Sequence, residues 1–557
     1  MASTIKIIVC ENDTGYFCAI LILILMKKSF VTISLLACFL ISCSHTKVID
    51  YPTIEHRTSD AIEFYQVEVS DTALILRGNV YNHPGYWVKM ASSVFLQGRT
   101  TGNTYRLVRA DGLELDKEVF MPETYTQPFT LQFEAVDEKD KVVDFVESEG
   151  WRVDGISLEE KKPKGMLCHI EGEVVDNPAY SRLVLVPEGT DIRTHDWISI
   201  PVCDGKFSYD LYVEKPTYYE LYSWTDYMSG GWRPVTFFAD KGKVNLTLYH
   251  LDKSPEWYSD IALNQEYKHF QQEANDRFIT PMQQEKEALD AAGKVYLPEM
   301  AELMKQYDAA TTREEVYAIR AKAEKLREEG KEYTDEYLAF QERVAKVTED
   351  YVAYILAYTE SNPTLVGLAQ LKELTMRMGM SKKLTAKDII DVYDKVYANK
   401  FPDDAIDSYM QNWVLSQNIK VGDSFIDFSA PDTKGEMHTL SEEIKGKVAL
   451  IDLWASWCGP CRRKSMSMIP LYESYKDKGF AIVGVARERR QKDMEIAVEK
   501  DGYPWLCLIE LNDAGKIWEK YGVGNGGGAI FMVDKEGKIL AINPSAEEVE
   551  ILLKKVL

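Results

Sequence analysis

From Ala61 to about Leu158, short apolar stretches alternate with turn residues. Val67–Val69, Ala73–Leu76, Ser93–Leu96 and Phe129–Phe133 read as strands, and few long helical patterns compete with them. This predicts a β-sandwich over residues 61–160. A basic linker, Lys161-Lys162-Pro163-Lys164-Gly165, leads to a second and smaller β domain over 165–252. Its predicted strands include Leu183–Val186, Lys206–Tyr209, Tyr218–Leu221 and Val244–Leu248. The dipeptide Asp204-Gly205 between two of them is a hairpin signal. The period then changes. Met300, Leu303, Met304 and Tyr307 lie at helical spacing, as do Val344, Val347, Tyr351, Ile355 and Tyr358, so residues 254–417 read as an α-helical region. Thr312-Arg313-Glu314-Glu315 is a capping box inside it. The Tyr and Met stripes are those of a packed core, and the charged run from Lys322 to Lys331 is that of a solvated face. Residues 418–557 return to an α/β pattern. The apolar run Val448–Ala455 reads as a buried central strand, and Arg462–Lys478 as a helix kinked at Pro470. The expected fold class is therefore multidomain: two N-terminal β-sandwich-like domains, a helical region and a C-terminal α/β domain.

The first 43 residues read as a leader. Met26-Lys27-Lys28 is followed by an apolar stretch from Ser29 to Ser42 and then by Cys43, which is a positive n-region, a short h-region and a processing site. Met26 is the expected true start. A membrane span from Phe17 to Ser42 is the alternative. It would place Lys27 and Lys28 near mid-membrane at about 2.5–3.5 kcal/mol each. Ala2 stands where N-myristoylation needs glycine. Residues 44–60 are polar and read as a tether.

Composition narrows the function. The 557 residues leave room for several domains, and 45% hydrophobic with 27% charged content is that of a globular protein. A net charge of −23 argues against a nucleic-acid partner. Of nine cysteines, five (Cys168, Cys203, Cys458, Cys461 and Cys507) follow Cys43, too few for a disulfide scaffold in a chain this long. Cys168 and Cys203 fall in one β region, and whether they pair is left open. Cys507 reads as a buried strand thiol. The eight histidines form no two-His pair at ligand spacing, so no metal and no cofactor are expected. Gly524-Asn525-Gly526-Gly527-Gly528 lacks the Lys-Ser/Thr of a phosphate loop.

The chemistry concentrates at Trp457-Cys458-Gly459-Pro460-Cys461, where a strand ends and a helix begins. Free backbone N–H groups and the helix dipole there favour a thiolate. A Cys₄ zinc site would need a second pair of similar spacing, and the chain has none. Cys458 leads the helix and is the expected exposed nucleophile. Cys461, one turn deeper, is the expected resolving thiol. The reaction is thiol–disulfide exchange through a mixed disulfide. Asp452 stands six residues before Cys458 within an apolar strand, where a carboxylate is costly unless it has a use.

With those residues, the chain from Val421 onward resembles thioredoxin-fold domains of the TlpA/ResA type. The matching segments are Gly422–Phe428, Gly446-Lys447, Asp452–Arg462, Tyr521–Val523 and Val533–Gly537, in about a quarter of the chain. Leu40-Ile41-Ser42-Cys43 resembles a bacterial lipobox, which implies acylation of Cys43. The whole layout resembles a multidomain lipoprotein of Gram-negative bacteria. The resemblance implies that Asp452 takes the resolving thiol's proton. Gly459-Pro460 is the dipeptide of thioredoxin itself, which implies a reducing poise. Two departures stand out. Many relatives carry Glu where this chain has Lys464. Gly528 occupies the position of the cis-proline that faces the dithiol, and no proline occurs between Pro504 and Pro544. A trans, mobile glycine loop with reduced shielding of the thiols is expected there, open to adventitious metal capture.

The expected function is a lipid-anchored, periplasm-facing thiol–disulfide oxidoreductase that reduces protein disulfides. Its expected partners are a protein disulfide substrate, a membrane-embedded thiol donor and the membrane itself through the anchor. One rival is a thiol peroxidase, since Gly422–Phe428 also resembles the peroxiredoxin superfamily. That family's Pro-x-x-x-Thr-x-x-Cys pattern is missing, with Ala455 where Thr would be. The other rival is a non-enzymatic binding lipoprotein.

Overall fold

The computed structural model describes residues 10–11, 17–18 and 46–557, except 149, 161–163, 178, 196, 232 and 251–252. The rest of the leader, Cys43 and Lys161-Lys162-Pro163 of the linker lie outside the described residues. Beyond them the chain is multidomain, rich in β-strands, with a helical region and a C-terminal thioredoxin-like domain.

The alternating apolar positions of the first region build a nine-stranded sheet in which every pairing is antiparallel. Val67, Leu74, Leu76, Leu131, Phe133 and Phe145 meet in one core. Residues 44–60 are not simply a tether. Lys47–Asp50 adds an edge strand to Ile62–Val69, and His56–Arg57 pairs with Val153-Asp154. Ile49, only 3% exposed, is the reason: one inward-facing aliphatic side chain is enough to seat a four-residue edge strand.

The second β region has two four-stranded sheets that share a core of Cys168, Ile170, Leu183, Leu185, Phe237, Val244 and Leu246. Asp204 and Gly205 both take positive φ, 50° and 72°, between mutually bonded Cys203 and Lys206, the geometry a two-residue hairpin turn requires. Cys168 is buried, Cys203 exposed, and the two are unpaired. The region runs past 252: Glu256–Ser259 pairs with Gly242–Leu248, because Ser259 turns inward while Tyr258 faces out. The helices start at Ala262 rather than at 254.

In the helical region, Met300 and Leu303 pack with Ile319 and Leu326, while Tyr351, Ile355 and Tyr358 join a larger core. The capping box at Thr312 and Glu315 is formed.

The C-terminal domain carries a five-stranded sheet in the order Leu506–Leu511, Phe480–Glu488, Val448–Trp454, Ala529–Val533, Ile539–Ile542. The first two junctions are parallel and the last two antiparallel. Every residue of the central strand Val448–Trp454 is buried, since its two faces serve two cores. That strand delivers the chain to the Cys-x-x-Cys turn. The Ala529–Val533 strand beside it delivers the glycine loop to the same edge.

Candidate active site

The central strand ends at Trp454, and a helix runs from Gly459 to Tyr475, through Pro470. Pro460 lies in its first turn, where the missing N–H costs nothing. Cys458 caps the helix: its Sγ accepts the Cys461 N–H at 3.3 Å. The two cysteines are disulfide-bonded, with Cα atoms 5.3 Å apart. A thiolate at Cys458 would face the same N–H and the positive end of the helix.

Exposure runs opposite to expectation in this oxidised state. Cys458 is only 6% exposed, whereas Cys461 is half-buried. A Cβ on Gly527 would sit 3.8 Å from Cys458 Sγ and 4.0 Å from Cys461 Sγ, so the glycine loop packs against both sulfurs.

Asp452 is 3% exposed, and burial pushes its carboxyl up to about 7, opposed by a hydrogen bond with Ser465 and by the charge of Lys464. Ser465 Oγ in turn donates to the Cys461 carbonyl at 3.0 Å. Asp452 therefore reaches the helix that carries the dithiol through one hydroxyl. Lys464 is partly desolvated, which lowers its pKa, and its Nζ donates to Asn543 Oδ1 at 3.2 Å.

Further charged groups bracket the turn before Cys458, and none had a sequence signal. Glu488, 1% exposed, accepts from the Ser456 N–H and, at 2.8 Å, from the Ser456 hydroxyl. Burial pushes its carboxyl up to about 7. Arg462 binds Asp501 through two nitrogens at 2.6 and 2.7 Å and donates to the Ser456 carbonyl at 3.2 Å. Trp457 packs beside Trp518, its ring 6.0 Å away, and under the Arg193 guanidinium, whose centre lies 3.8 Å from the Trp457 ring centroid. Arg193 belongs to the second β region, and only the folded chain brings it here.

The glycine loop has trans peptides, as no cis bond occurs among the described residues. It is anchored, however, rather than free. The Gly528 N–H donates to Cys461 Sγ at 3.1 Å, and Arg487 Nη1 donates to Asn525 Oδ1 at 2.9 Å. Arg193 donates to the Asn525 carbonyl. A Cβ at 528 would meet the Leu453 carbonyl oxygen at 1.8 Å, so the backbone approach itself demands glycine. Away from this edge, Asp432, Glu436 and His438 bring ligand-type atoms within 4.8 Å of one another on a surface hairpin. There Asp432 Oδ1 already caps the Lys434 and Glu436 N–H groups at 2.8 and 2.9 Å, which makes it a turn device.

Residues 420–555 match the Redoxin family. A thiol-disulfide oxidoreductase ResA from Geobacillus thermodenitrificans is 31% identical over 124 residues, covering 22% of this chain and 69% of that protein. The ResA of Geobacillus kaustophilus is 32% identical over the same length and shares. The thioredoxin domain of a thiol-disulfide oxidoreductase from Bacteroides vulgatus is similar at 30% identity, covering 25% of this chain and 99% of that one with a TM-score of 0.24. Through its C-terminal domain, with the dithiol at the head of a helix, the chain belongs to the ResA/TlpA-like family of thiol-disulfide oxidoreductases.

Proposed function

We propose that this protein is a lipid-anchored, periplasm-facing reductase of protein disulfides. The observation that carries the chemistry is the cysteine pair capping the helix above a fully buried Asp452. In the reduced enzyme, the Cys458 thiolate attacks one sulfur of the substrate disulfide. A mixed disulfide forms and the other substrate sulfur leaves as a thiol, taking a proton. Cys461 then gives its proton to the Asp452 carboxylate and attacks Cys458 Sγ. The Cys458–Cys461 bond forms and the second substrate thiol departs with that proton. Two electrons pass from the dithiol to the substrate, with one proton from Cys461 and one from solvent. A carboxyl at about 7 is poised for this, since it is divided between both forms near neutral pH.

The oxidised pair is returned to the dithiol by a membrane-embedded thiol donor, since the periplasm is kept oxidising. Acylation at Cys43 supplies the anchor. The two N-terminal β regions are read as sandwich-like domains, separate from the helical region and from the thioredoxin-like domain that begins near 418. Their shared inner cores support that reading. They place the dithiol domain and recognise its partner.

The deciding experiment traps substrates with Cys461→Ser in the full chain. This variant is expected to accumulate mixed disulfides on Cys458, and Cys458→Ser to abolish both exchange and adducts. Exchange surviving in Cys458→Ser would overturn the mechanism.

A further inference from the structure

The loop facing the dithiol holds three consecutive glycines, Gly526-Gly527-Gly528, and no proline. Glycine loses more backbone entropy on ordering than any other residue, so such a loop keeps one shape only if something outside it holds it there. The folded chain supplies that hold from a different region. Arg193 donates to the Asn525 carbonyl and sits over the ring of Trp457, the residue next to Cys458. One guanidinium thus touches both walls of the entry to the dithiol: the loop on one side and the Trp457 ring on the other.

Arg193 is itself held in place. Asp191 receives its Nε at 2.9 Å and its Nη2 at 2.7 Å. Asp191 lies 3.5 Å from Arg487, which binds both carboxylate oxygens of Asp513. Asp513 accepts from Thr194 at 3.3 Å and lies 3.7 Å from His195. Asp191, Arg487 and Asp513 are 6%, 4% and 6% exposed. Residues 191–195 come from the second β region, and 487, 513 and 525 from the thioredoxin-like domain. Buried charges are a poor way to glue two surfaces, since desolvation offsets most of their attraction. They are a good way to fix one geometry. Here the geometry they fix is that of the Arg193 guanidinium, and Arg487 of the same network also binds the Asn525 side chain.

We propose that Arg193 is a positioning residue of the dithiol site, holding Trp457 and the 525–528 loop in the arrangement that docks a disulfide-bearing polypeptide. The second β region is then one wall of the active site. A proline would preset such a loop from within; this chain presets it from the neighbouring domain. An extended substrate approaching the dithiol meets the Gly527 backbone, which lies beside both sulfurs. This inference rests on the reading above that the substrates are protein disulfides.

The test compares wild type, Arg193→Ala and Arg193→Lys as full chains. Arg489→Ala is the control, since Arg489 pairs with Asp60 of the first β region at 3.5 Å and leaves the loop alone. With a disulfide-bonded protein as substrate, Arg193→Ala is expected to raise KM about tenfold while kcat changes less than about threefold. Arg193→Lys, keeping a charged donor, is expected to recover part of that loss. Hydrogen exchange of the 524–528 amides is expected to accelerate at least about tenfold in Arg193→Ala and not in Arg489→Ala. Unchanged KM, faster turnover in Arg193→Ala, or unchanged exchange would each overturn the proposal. If wild type reduces no protein disulfide, the proposed function fails. The exchange of the 524–528 amides still decides whether Arg193 holds the loop.

Discussion

Replacing Asp452 by Asn isolates one electrostatic cost in the site. The carboxyl is 3% exposed and moves from an ordinary 3.8 up to about 7 in the folded protein. The native state thus holds this proton more tightly than the unfolded chain. The stabilisation this gives is complete below about pH 4, is lost as pH rises toward 7, and stays lost above it. A shift of roughly 3 units corresponds to about 4 kcal/mol at pH 8. Asparagine keeps the shape and removes the charge. It also buries an NH₂ with one donor more than Ser465 Oγ can accept, at about 1–3 kcal/mol. The difference leaves Asp452→Asn about 1–3 kcal/mol more stable than wild type at pH 8. At pH 4 it is less stable by the unpaired-donor cost alone. Glu488, also raised to about 7, is present in both proteins and cancels. Urea unfolding of the oxidised full chain at the two pH values measures the effect, reading this domain through exchange protection of the 448–454 amides. A difference that keeps one sign and size at both pH values would refute the assignment of the cost to Asp452. The same variant is expected to slow the second step of exchange, release of the mixed disulfide, more than the first, as rapid-quench kinetics would show.

Gly528→Ala places a methyl 1.8 Å from the Leu453 carbonyl and 3.3 Å from Cys461 Sγ. Thermal unfolding is expected to show a loss of about 3 kcal/mol, as overpacking against backbone cannot relax. A stability within experimental error of wild type would mean that the loop is not packed as described. At the other end of the chain, mass spectrometry of the mature protein is expected to find an acylated Cys43 as the first residue. An intact Phe17–Ser42 segment ahead of it would refute lipidation at Cys43.

Much of the site could be read along the sequence because its chemistry is local. The Cys-x-x-Cys pair, the strand before it and the helix after it follow one another directly, and an aspartate in an apolar strand marks itself by its cost. Local signals also served at Asp204-Gly205 and at Thr312, where two or four residues set their own backbone geometry. Where a segment's fate hung on one inward side chain, the pattern was too short to read. Ile49 draws part of the expected tether into a sheet, and Ser259 extends the second β region past 252. Neither the covering of Cys458 nor the anchoring of the glycine loop is local at all. Arg193, Arg487 and Asp513 are ordinary charged residues in the sequence, and Glu488 is one carboxylate among many. Only the tertiary structure removes them from water together, and a buried charge must find its partner or lose several kcal/mol. Sequence thus placed the dithiol and the aspartate in the strand before it. The packing of a distant β region decided which residue touches the loop and the tryptophan beside the dithiol, because pairing buried charges across an interface depends on the whole chain having folded.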